Sequence, residues 1–267
     1  MKITTRNATF QQWQALLTNR TKRHRAGEFV VQGVRPISLA VAHGWEIRHL
    51  VYPAGRQLST WATELLDKAD SVVEMDPELH AELGEKEGGE LVAVVGMPPD
   101  RLDRLGHHTP DRAGPPLFVL FDRPTSPGNI GTLIRSADAF GAAGLVVTGH
   151  AADPYDPRAV RASTGSIFAV PVVRTSATDE VREWARPLRL VGTDERAATD
   201  VADADLRGPT LLLVGNETQG LSTAWRQAAD EMVRIPIGGA ASSLNAAAAA
   251  TIVLYEAARQ RTRREPV

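Results

Sequence analysis

Residues 117–135, LFVLFDRPTSPGNIGTLIR, join a short apolar run to a turn of small residues and then to a helical pattern. The run at 117–121 predicts a strand buried on both faces, because such a strand is apolar at consecutive positions. The Pro-Gly pair at 127–128 predicts a turn, and the apolar spacing within 130–137 predicts a helix from about Asn129. Strand, turn and helix in this order are typical of an α/β fold.

The alternation continues to the end of the chain, which is 267 residues long. Further apolar runs predict strands at 145–148, 170–173, 188–193, 210–215 and 232–236. Apolar strands separated by helices indicate a parallel sheet that is covered on both faces. An alanine-rich helix is expected from about Ser243.

The first third of the chain predicts a separate, smaller α/β domain. Helices are expected at 10–17, 36–43 and 60–69, and strands at 29–33, 47–52 and 91–95. Segment 97–116 is dense in proline, glycine and charge, which is typical of a boundary. We therefore predict domains at 1–98 and 116–267, with a linker at 99–115. His107 and His108 are interpreted as linker residues, since no partner ligand stands at a useful spacing.

Composition excludes several classes of function. The chain has no cysteine, which rules out disulfides, thiolate metal sites and a cysteine nucleophile. Its net charge is -2, yet residues 1–25 hold six Lys or Arg and no acid, so a local RNA-binding patch is compatible with the total. The sequence has neither a long apolar run nor a signal-peptide pattern, and we expect a cytoplasmic protein without membrane or metal partners.

The usual nucleotide and hydrolase signatures are absent. There is no G-x-G-x-x-G after the first strand of the α/β half, no phosphate-binding loop ending in G-K-[ST], no G-x-S-x-G and no H-E-x-x-H. A dehydrogenase, an NTPase, a serine hydrolase and a zinc protease are therefore disfavoured.

Three short segments instead present polar side chains at turns of small residues: 126–135 (SPGNIGTLIR), 212–221 (LLVGNETQGL) and 235–245 (IPIGGAASSLN). Each one alone is explained equally well by helix capping or an ordinary strand-to-helix turn. Ligands of open parallel sheets gather at the carboxyl ends of strands, however, and all three segments belong to such ends. Together they predict one cleft.

In combination, N-x-G-x-x-x-R, G-N-E-x-x-G-L and S-L-N resemble the three signature motifs of the SpoU/TrmH branch of the SPOUT RNA methyltransferases. Segment 161–172 is similar to the same family. Segment 25–36 resembles its small substrate-binding domain, which is like RNA-binding ribosomal proteins. Segments 6–17 and 121–131 resemble an antibiotic-resistance ribosomal RNA methyltransferase of this family.

The resemblance implies a carboxy-terminal domain with a trefoil knot, a homodimer, and S-adenosylmethionine as methyl donor for a ribose 2′-oxygen in 23S ribosomal RNA, with uridine as a candidate nucleotide. The catalytic positions it implies are Asn129, Arg135, Glu217, Ser243 and Asn245. The donor-binding positions are Thr193, Gly215, Asn216, Glu217, Ile235, Pro236, Ser243 and Leu244. The RNA-binding residues that we predict are Arg20, Lys22, Arg23, Arg25, Arg35 and Arg161.

A sulfonium donor is already reactive, so such an enzyme mainly aligns a hydroxyl with the methyl carbon and excludes water. A guanidinium is a poor base, because its pKa lies above about 12. We expect Arg135 to orient a phosphate or to stabilise the developing alkoxide, and the family proposal that it accepts the proton stays open. Two other functions stay open as well: methylation of transfer RNA, and a catalytically silent RNA-binding or ribosome-assembly factor. The target nucleotide, the state of the RNA substrate and a resistance role are not determined.

Overall fold

The computed structural model describes residues 1–84, 89–106 and 114–262. Contacts divide it into two compact units, one of Met1–Pro98 with Tyr155–Ala169 and the other of Pro99–Pro154 with the chain from Val170 onward. The segment Tyr155–Ala169 belongs by sequence to the predicted second domain, yet it clusters with the first unit. The domain boundaries at 98 and 116 stay a prediction, and 107–113 of the proposed linker, with His107 and His108, lie outside the described residues.

Helices and strands alternate through both units. The helices are α1 (Ala8–Thr18), α2 (Arg20–Ala26), α3 (Val34–Ala42), α4 (Thr60–Asp67), α5 (Pro77–Leu83), α6 (Pro127–Ala139), α7 (Pro157–Ser163), α8 (Ser166–Ala169), α9 (Thr178–Trp184), α10 (Thr223–Ala228) and α11 (Ala246–Thr262). The strands are β1 (Lys2–Ile3), β2 (Glu28–Gln32), β3 (Ile47–Pro53), β4 (Val72–Met75), β5 (Val92–Gly96), β6 (Leu117–Asp122), β7 (Gly144–Thr148), β8 (Val172–Thr175), β9 (Arg189–Thr193), β10 (Thr199–Asp200), β11 (Thr210–Val214) and β12 (Glu231–Arg234).

The first unit contains a mixed sheet in the order β1-β4-β3-β5-β2. Strand β5 runs antiparallel to both β3 and β2, whereas β1, β4 and β3 are parallel. Phe10, Trp13 and Leu16 of α1 are buried in the core cluster that contains Val51 and Val94. Burial of a side chain of this size contributes about 1.5–3 kcal/mol, so the apolar stripe of α1 fixes the helix on the sheet.

The second unit contains a fully parallel sheet in the order β10-β12-β9-β11-β6-β7-β8. This confirms the predicted parallel sheet. From β6 the chain proceeds outward to β7 and β8, and the later strands lie on the other side, so the order reverses beside β6. Ligands of such sheets bind outside the carboxyl ends of strands at that reversal. The trefoil knot implied by the resemblance stays a prediction.

Several element boundaries differ from those predicted, and three short strands were not predicted at all. Helix α6 begins at Pro127, because the Ser126 hydroxyl accepts a hydrogen bond from the Asn129 backbone at 3.3 Å and caps it. Helix α11 begins at Ala246 rather than Ser243. The short strands β1, β4 and β10 were not predicted, since two to four residues carry too little periodicity to be recognised. Among the described helices, none is both long enough and apolar enough to span a bilayer.

Candidate active site

The turn after β11 is closed by its own backbone. Asn216 and Gly220 form a two-way bridge, with each amide N–H donating to the other's carbonyl at 3.0 Å. A Cβ on Gly215 would come within 2.3 Å of the Gly220 carbonyl carbon, so no larger residue fits there without moving the backbone. The Asn216 side chain accepts from the amides of Thr218 and Gln219 at 2.9 and 3.0 Å. This closure turns Glu217 toward the start of α6.

The Glu217 carboxylate is held by four donors from the loop before α6. It accepts hydrogen bonds from the backbone and the hydroxyl of Thr125, both at 3.1 Å, from the Ser126 backbone at 3.3 Å and from Asn129 Nδ2 at 2.9 Å. Partial burial alone would raise the pKa of Glu217. The hydrogen bonds from Asn129, from its own backbone and from Thr125 outweigh burial and hold that pKa below its usual range, so the group is a carboxylate.

Asn129 connects this carboxylate to the third loop. Its Oδ1 accepts a hydrogen bond from Asn245 Nδ2 at 3.1 Å while its Nδ2 donates to Glu217. Asn245 Oδ1 in turn accepts from the amides of Ala247 and Ala248 and caps α11, although the sequence placed Asn245 inside the helix. Glu217, Asn129 and Asn245 thus form one hydrogen-bonded chain, which we call the amide–carboxylate chain.

Arg123, which the sequence analysis missed, fastens the turn after β11 to β6. Its guanidinium donates to Gln219 Oε1 at 3.0 Å, to the Gly220 carbonyl at 3.1 Å and to Asp122 Oδ2 at 3.1 Å, and its own carbonyl accepts from Asn216 Nδ2 at 2.7 Å. Arg123 has a φ of 53°, a left-handed conformation that costs a residue other than glycine about 1 kcal/mol or more. A polar residue next to the TSPGN turn is the only sequence signal that could have found it.

A cavity of about 830 Å³ opens beside the turn, at the carboxyl ends of β9, β11 and β12. Seven of the eight predicted donor-binding residues line it, and Pro236 is the exception: Thr193, Gly215, Asn216, Glu217, Ile235, Ser243 and Leu244. Leu244 and Ile237 are 38 % and 37 % exposed, so apolar surface is available to a ligand. Two of the three predicted loops, 212–221 and 235–245, line this cavity, and the third, 126–135, is joined to them through the hydrogen bonds of Asn129 with Glu217 and Asn245.

The lining of this cavity fits S-adenosylmethionine. Glu217 and Asp194 supply negative charge for a sulfonium, and Arg196, Arg226 and Arg234 supply positive charge for a carboxylate. Partial burial by itself would raise the pKa of Asp194, but hydrogen bonds from the Arg196 backbone and the Arg226 guanidinium outweigh it and lower that pKa. The volume also lies within the range of about 300–1,000 Å³ that is typical of small-molecule pockets.

Arg135 is not part of this cleft. It lies exposed on α6, nearly two turns after Asn129, and does not line the cavity. Within the described residues it forms neither a hydrogen bond nor an ion pair. Ser243, another predicted catalytic residue, is exposed on the loop before α11 and lines the cavity. The roles of Arg135 and Ser243 stay predictions.

The predicted RNA-binding set needs one correction. Arg23 is 2 % exposed, its Nη1 donates to the Leu16 carbonyl at 2.7 Å and its Nη2 lies 3.7 Å from Asp156 Oδ2. A guanidinium enclosed in this way holds the first unit together and does not reach RNA. The other five residues are exposed, as the prediction requires: Arg20, Lys22, Arg25, Arg35 and Arg161.

Comparison with known families identifies both halves of the chain. Residues 116–255 match the SpoU rRNA methylase family, and residues 7–93 match the SpoU L30e-like domain. A curated relative from Streptomyces viridochromogenes, a 23S rRNA (uridine(2479)-2′-O)-methyltransferase, is 60 % identical over 97 % of this chain and 92 % of its own length. This chain belongs to the SpoU rRNA methylase family.

Solved SpoU structures have the same fold over nearly the whole chain. The SpoU methyltransferase AviRb from Streptomyces viridochromogenes, in complex with AdoMet, is 58 % identical, with a TM-score of 0.89 over 96 % of this chain and 98 % of that one. An AdoMet-bound rRNA methyltransferase from Sinorhizobium meliloti is 31 % identical, with a TM-score of 0.84 over 97 % of both chains. The resemblance of segments 6–17 and 121–131 to one ribosomal RNA methyltransferase of this family extends over the whole chain, since the relative from Streptomyces viridochromogenes aligns with 97 % of it.

Proposed function

We propose that this SpoU-family chain transfers the methyl group of S-adenosylmethionine to the 2′-oxygen of a uridine ribose in 23S ribosomal RNA. The observation that carries the proposal is the amide–carboxylate chain of Glu217, Asn129 and Asn245, whose Glu217 lines a cavity that fits the donor. The substrate is inferred from the relative from Streptomyces viridochromogenes, which bears that activity in its name.

The donor supplies an electrophilic methyl group, and the chain's own residues provide alignment. Glu217 is saturated by donors, which makes it a holder of the Asn129 amide rather than a base. With Asn129 Nδ2 directed to Glu217, its Oδ1 faces Asn245, and the direction of both amides follows from the hydrogen-bond network. A fixed pair of amides hydrogen-bonded to a carboxylate that lines the cavity can hold a ribose without reorganising during the reaction.

We propose further that the active form is a homodimer in which Arg135 serves the cavity of the partner copy. Helices α6 and α11 pack together, with the Ser136 and Thr251 hydroxyl oxygens 2.7 Å apart and the Phe140 and Tyr255 ring centroids 5.9 Å apart. The outer face of this pair exposes large apolar side chains, because Ile252 is 39 % exposed and Tyr255 56 %. Arg135 lies at the same face of α6 as the exposed Thr132 and Ala139, so covering the face with a second copy would enclose it.

Mixing two inactive variants tests this arrangement. If Arg135 acts on the partner's cavity, a mixed dimer of Arg135→Ala and Asn245→Ala contains one intact site. Refolding equal amounts together should then restore about a quarter of the wild-type rate, because half of the dimers are mixed and each has one of two sites intact. If Arg135 acts within its own copy, the mixture stays inactive and the proposed sharing is wrong.

Transfer of a tritiated methyl group from S-adenosylmethionine to 23S ribosomal RNA fragments tests the activity itself. We expect label on a single ribose, mapped by block of alkaline cleavage, with naked RNA and assembled large subunits tried in parallel. If only transfer RNA became labelled, the substrate would be transfer RNA and not ribosomal RNA. Failure to bind S-adenosylmethionine in calorimetry would instead indicate a silent RNA-binding factor.

A resistance role and a cytoplasmic location belong to the same proposal. Methylation of one ribose in the large subunit alters a ribosomal surface to which antibiotics bind. Expression in a sensitive host should therefore raise the inhibitory concentration of avilamycin-type antibiotics, while Arg135→Ala should not. Equal sensitivity of hosts with and without the active chain would leave a housekeeping methylation as the function.

A further inference from the structure

The first unit contains a second cavity, of about 520 Å³, that the methyl-donor site does not use. It is bordered by the ends of β2 and β5, the beginning of α3, and α7. Apolar side chains such as Pro36, Leu91 and Val160 form much of its wall. Two exposed arginines, Arg35 of α3 and Arg161 of α7, also line it, and its described lining includes no acidic residue.

We propose that this cavity receives one unstacked nucleobase of the RNA substrate, with Arg35 and Arg161 binding the phosphates on either side of that nucleotide. The proposal rests on the proposed function, since it assumes an RNA substrate. RNA is recognised in sequence mainly through unpaired bases that leave the stack and enter protein pockets. An apolar wall suits the faces of a base, and guanidinium groups suit both phosphates and base faces.

The walls of the cavity are held in place before RNA arrives. Buried Arg23 lies 3.7 Å from Asp156 Oδ2, and Asp156 caps α7 by accepting from the Arg158 backbone at 3.0 Å. Asp156 therefore links Arg23 to the helix that carries Arg161. On the opposite side Gln32 Nε2 donates to the Leu83 carbonyl at 2.6 Å. A preformed cavity binds with less loss of conformational freedom than one that must be assembled.

The arrangement also accounts for the two positive charges beside an apolar opening. Arg35 and Arg161 lie far apart in sequence and on different helices, yet both line one cavity. A phosphodiester chain carries a charge on each side of every nucleotide, so two cations around an apolar opening match one extruded nucleotide. A protein surface that binds only the outside of a duplex would need the cations and not the cavity.

Filling and emptying the cavity at one position tests the proposal. Gln32→Trp places an indole in the cavity, whereas Gln32→Ala removes the same hydrogen bond to Leu83 and leaves the cavity open. The probe is a synthetic 23S ribosomal RNA fragment that the wild-type chain binds and methylates. We expect Gln32→Trp to weaken binding roughly tenfold, as loss of one stacked base does, and Gln32→Ala to stay within about twofold of wild type.

An abasic scan identifies the base. Single abasic nucleotides are placed in turn at each unpaired position of the fragment, and affinity is measured for wild type and for Gln32→Trp. At one position, the abasic nucleotide should lower the affinity of wild type roughly tenfold but should not lower the affinity of Gln32→Trp any further. The base and the cavity would then act as one unit. Additive losses at every position would overturn the proposal.

Charge reversal gives a second route that leaves the apolar part of the cavity wall unchanged. Arg35→Glu with Arg161→Glu should reduce RNA affinity at least tenfold and flatten its dependence on salt, whereas Lys68→Glu, an exposed residue outside the cavity lining, should reduce it much less. Affinity for S-adenosylmethionine should stay unchanged in every variant, which controls for folding. If wild type methylates ribosomal RNA but none of these variants loses affinity, the cavity proposal alone is wrong; if wild type binds no RNA, the proposed function is wrong.

Discussion

Asn129 and Arg135 come from the same helix, nearly two turns apart, and have opposite surroundings. Asn129 is fixed by Glu217 on one side and Asn245 on the other, whereas Arg135 is exposed and, within the described residues, makes neither a hydrogen bond nor an ion pair. A group that is complete within one copy is preorganised, and its contribution is present before substrate binds. Arg135, which has no hydrogen-bond or ion-pair partner among the described residues and lies beside an exposed apolar face, is suited to act on a substrate or on a second copy of the chain.

Loss of the isolated group should have the largest effect on the reaction. Arg135→Ala removes no hydrogen bond or ion pair among the described residues, so folding and affinity for S-adenosylmethionine should match wild type. Methyl transfer should fall about a hundredfold or more, as it does when a charge-stabilising donor is removed. Single-turnover kinetics measure this loss, with Arg182→Ala on α9 as an exposed-arginine control. Full activity of Arg135→Ala would remove the residue from the mechanism.

Breaking the preorganised side should have a smaller effect. Glu217→Gln introduces an amide where four donors converge, so Asn129 must turn or lose its partner. We expect the rate of transfer to fall about tenfold to a hundredfold, the value of a hydrogen bond to a charged group, with a smaller change in RNA affinity. An unchanged rate would mean that the direction of the Asn129 amide does not matter.

The same substitution gives a pH test. Hydrogen bonds depress the pKa of Glu217 in the folded state, so its carboxylate adds stability above the ordinary pKa of about 4.3 and loses it as the pH falls through the lower folded-state pKa. Wild type should therefore lose more of its thermal stability than Glu217→Gln on acidification below about pH 4.3. Parallel melting curves over that range would refute the depressed pKa.

Arg123 can be tested separately from the backbone strain that it carries. Arg123→Gly and Arg123→Ala both remove the hydrogen bonds to Gln219 and Gly220, and both should weaken S-adenosylmethionine binding about tenfold in calorimetry. Only glycine tolerates the φ of 53°, so the Gly variant should be about 1 kcal/mol more stable than the Ala variant. If the affinities of the two variants for S-adenosylmethionine differed in the same order as their stabilities, the role of Arg123 would be purely structural.

Substitutions of Asn245 should have modest effects on stability and should separate its two functions. Asn245→Asp keeps an oxygen that caps α11 but removes the donor to Asn129, whereas Asn245→Ala removes both. We expect Asn245→Ala to lower the free energy of unfolding by about 1 kcal/mol and Asn245→Asp to lower it much less, while both variants slow methyl transfer. If Asn245→Asp transferred methyl groups at the wild-type rate, the hydrogen bond to Asn129 would not be needed for the reaction.

Local pattern predicted most of the strands, because the strands of the second unit are apolar runs. Among the described helices it located α1, α3, α4, α6 and α11 and gave no bounds for the other six. It also predicted that the three loops lie together, since carboxyl ends of parallel strands lie at one edge, and hydrogen bonds join Asn129 to Glu217 and Asn245. The prediction of the helix-capping residues was less accurate. Ser126 rather than Asn129 begins α6, and Asn245 begins α11, because several polar residues in a row compete for the capping position and only geometry selects one.

Residues whose state depends on distant parts of the chain could not be predicted. Arg23 stands in a basic run with Arg20 and Arg25, and nothing local distinguishes it, yet Asp156 and the Leu16 carbonyl enclose it. Arg261 is similar: it donates to the carbonyls of Leu206, Pro115 and Gly208, and burial lowers its pKa to about 10. A charge pattern indicates the sign of a surface but not which of its members fold inward.

Sequence by itself determined the α/β class, the family and the cluster of polar residues at three turns, because periodicity and motif spacing are properties of neighbouring residues. Tertiary structure alone decided that Glu217, Asn129 and Asn245 form one hydrogen-bonded chain, that Arg123 fastens the turn, and that Arg35 and Arg161 line one cavity. These pairings join residues up to 126 positions apart. Only the tertiary fold, which no local pattern encodes, brings such residues together.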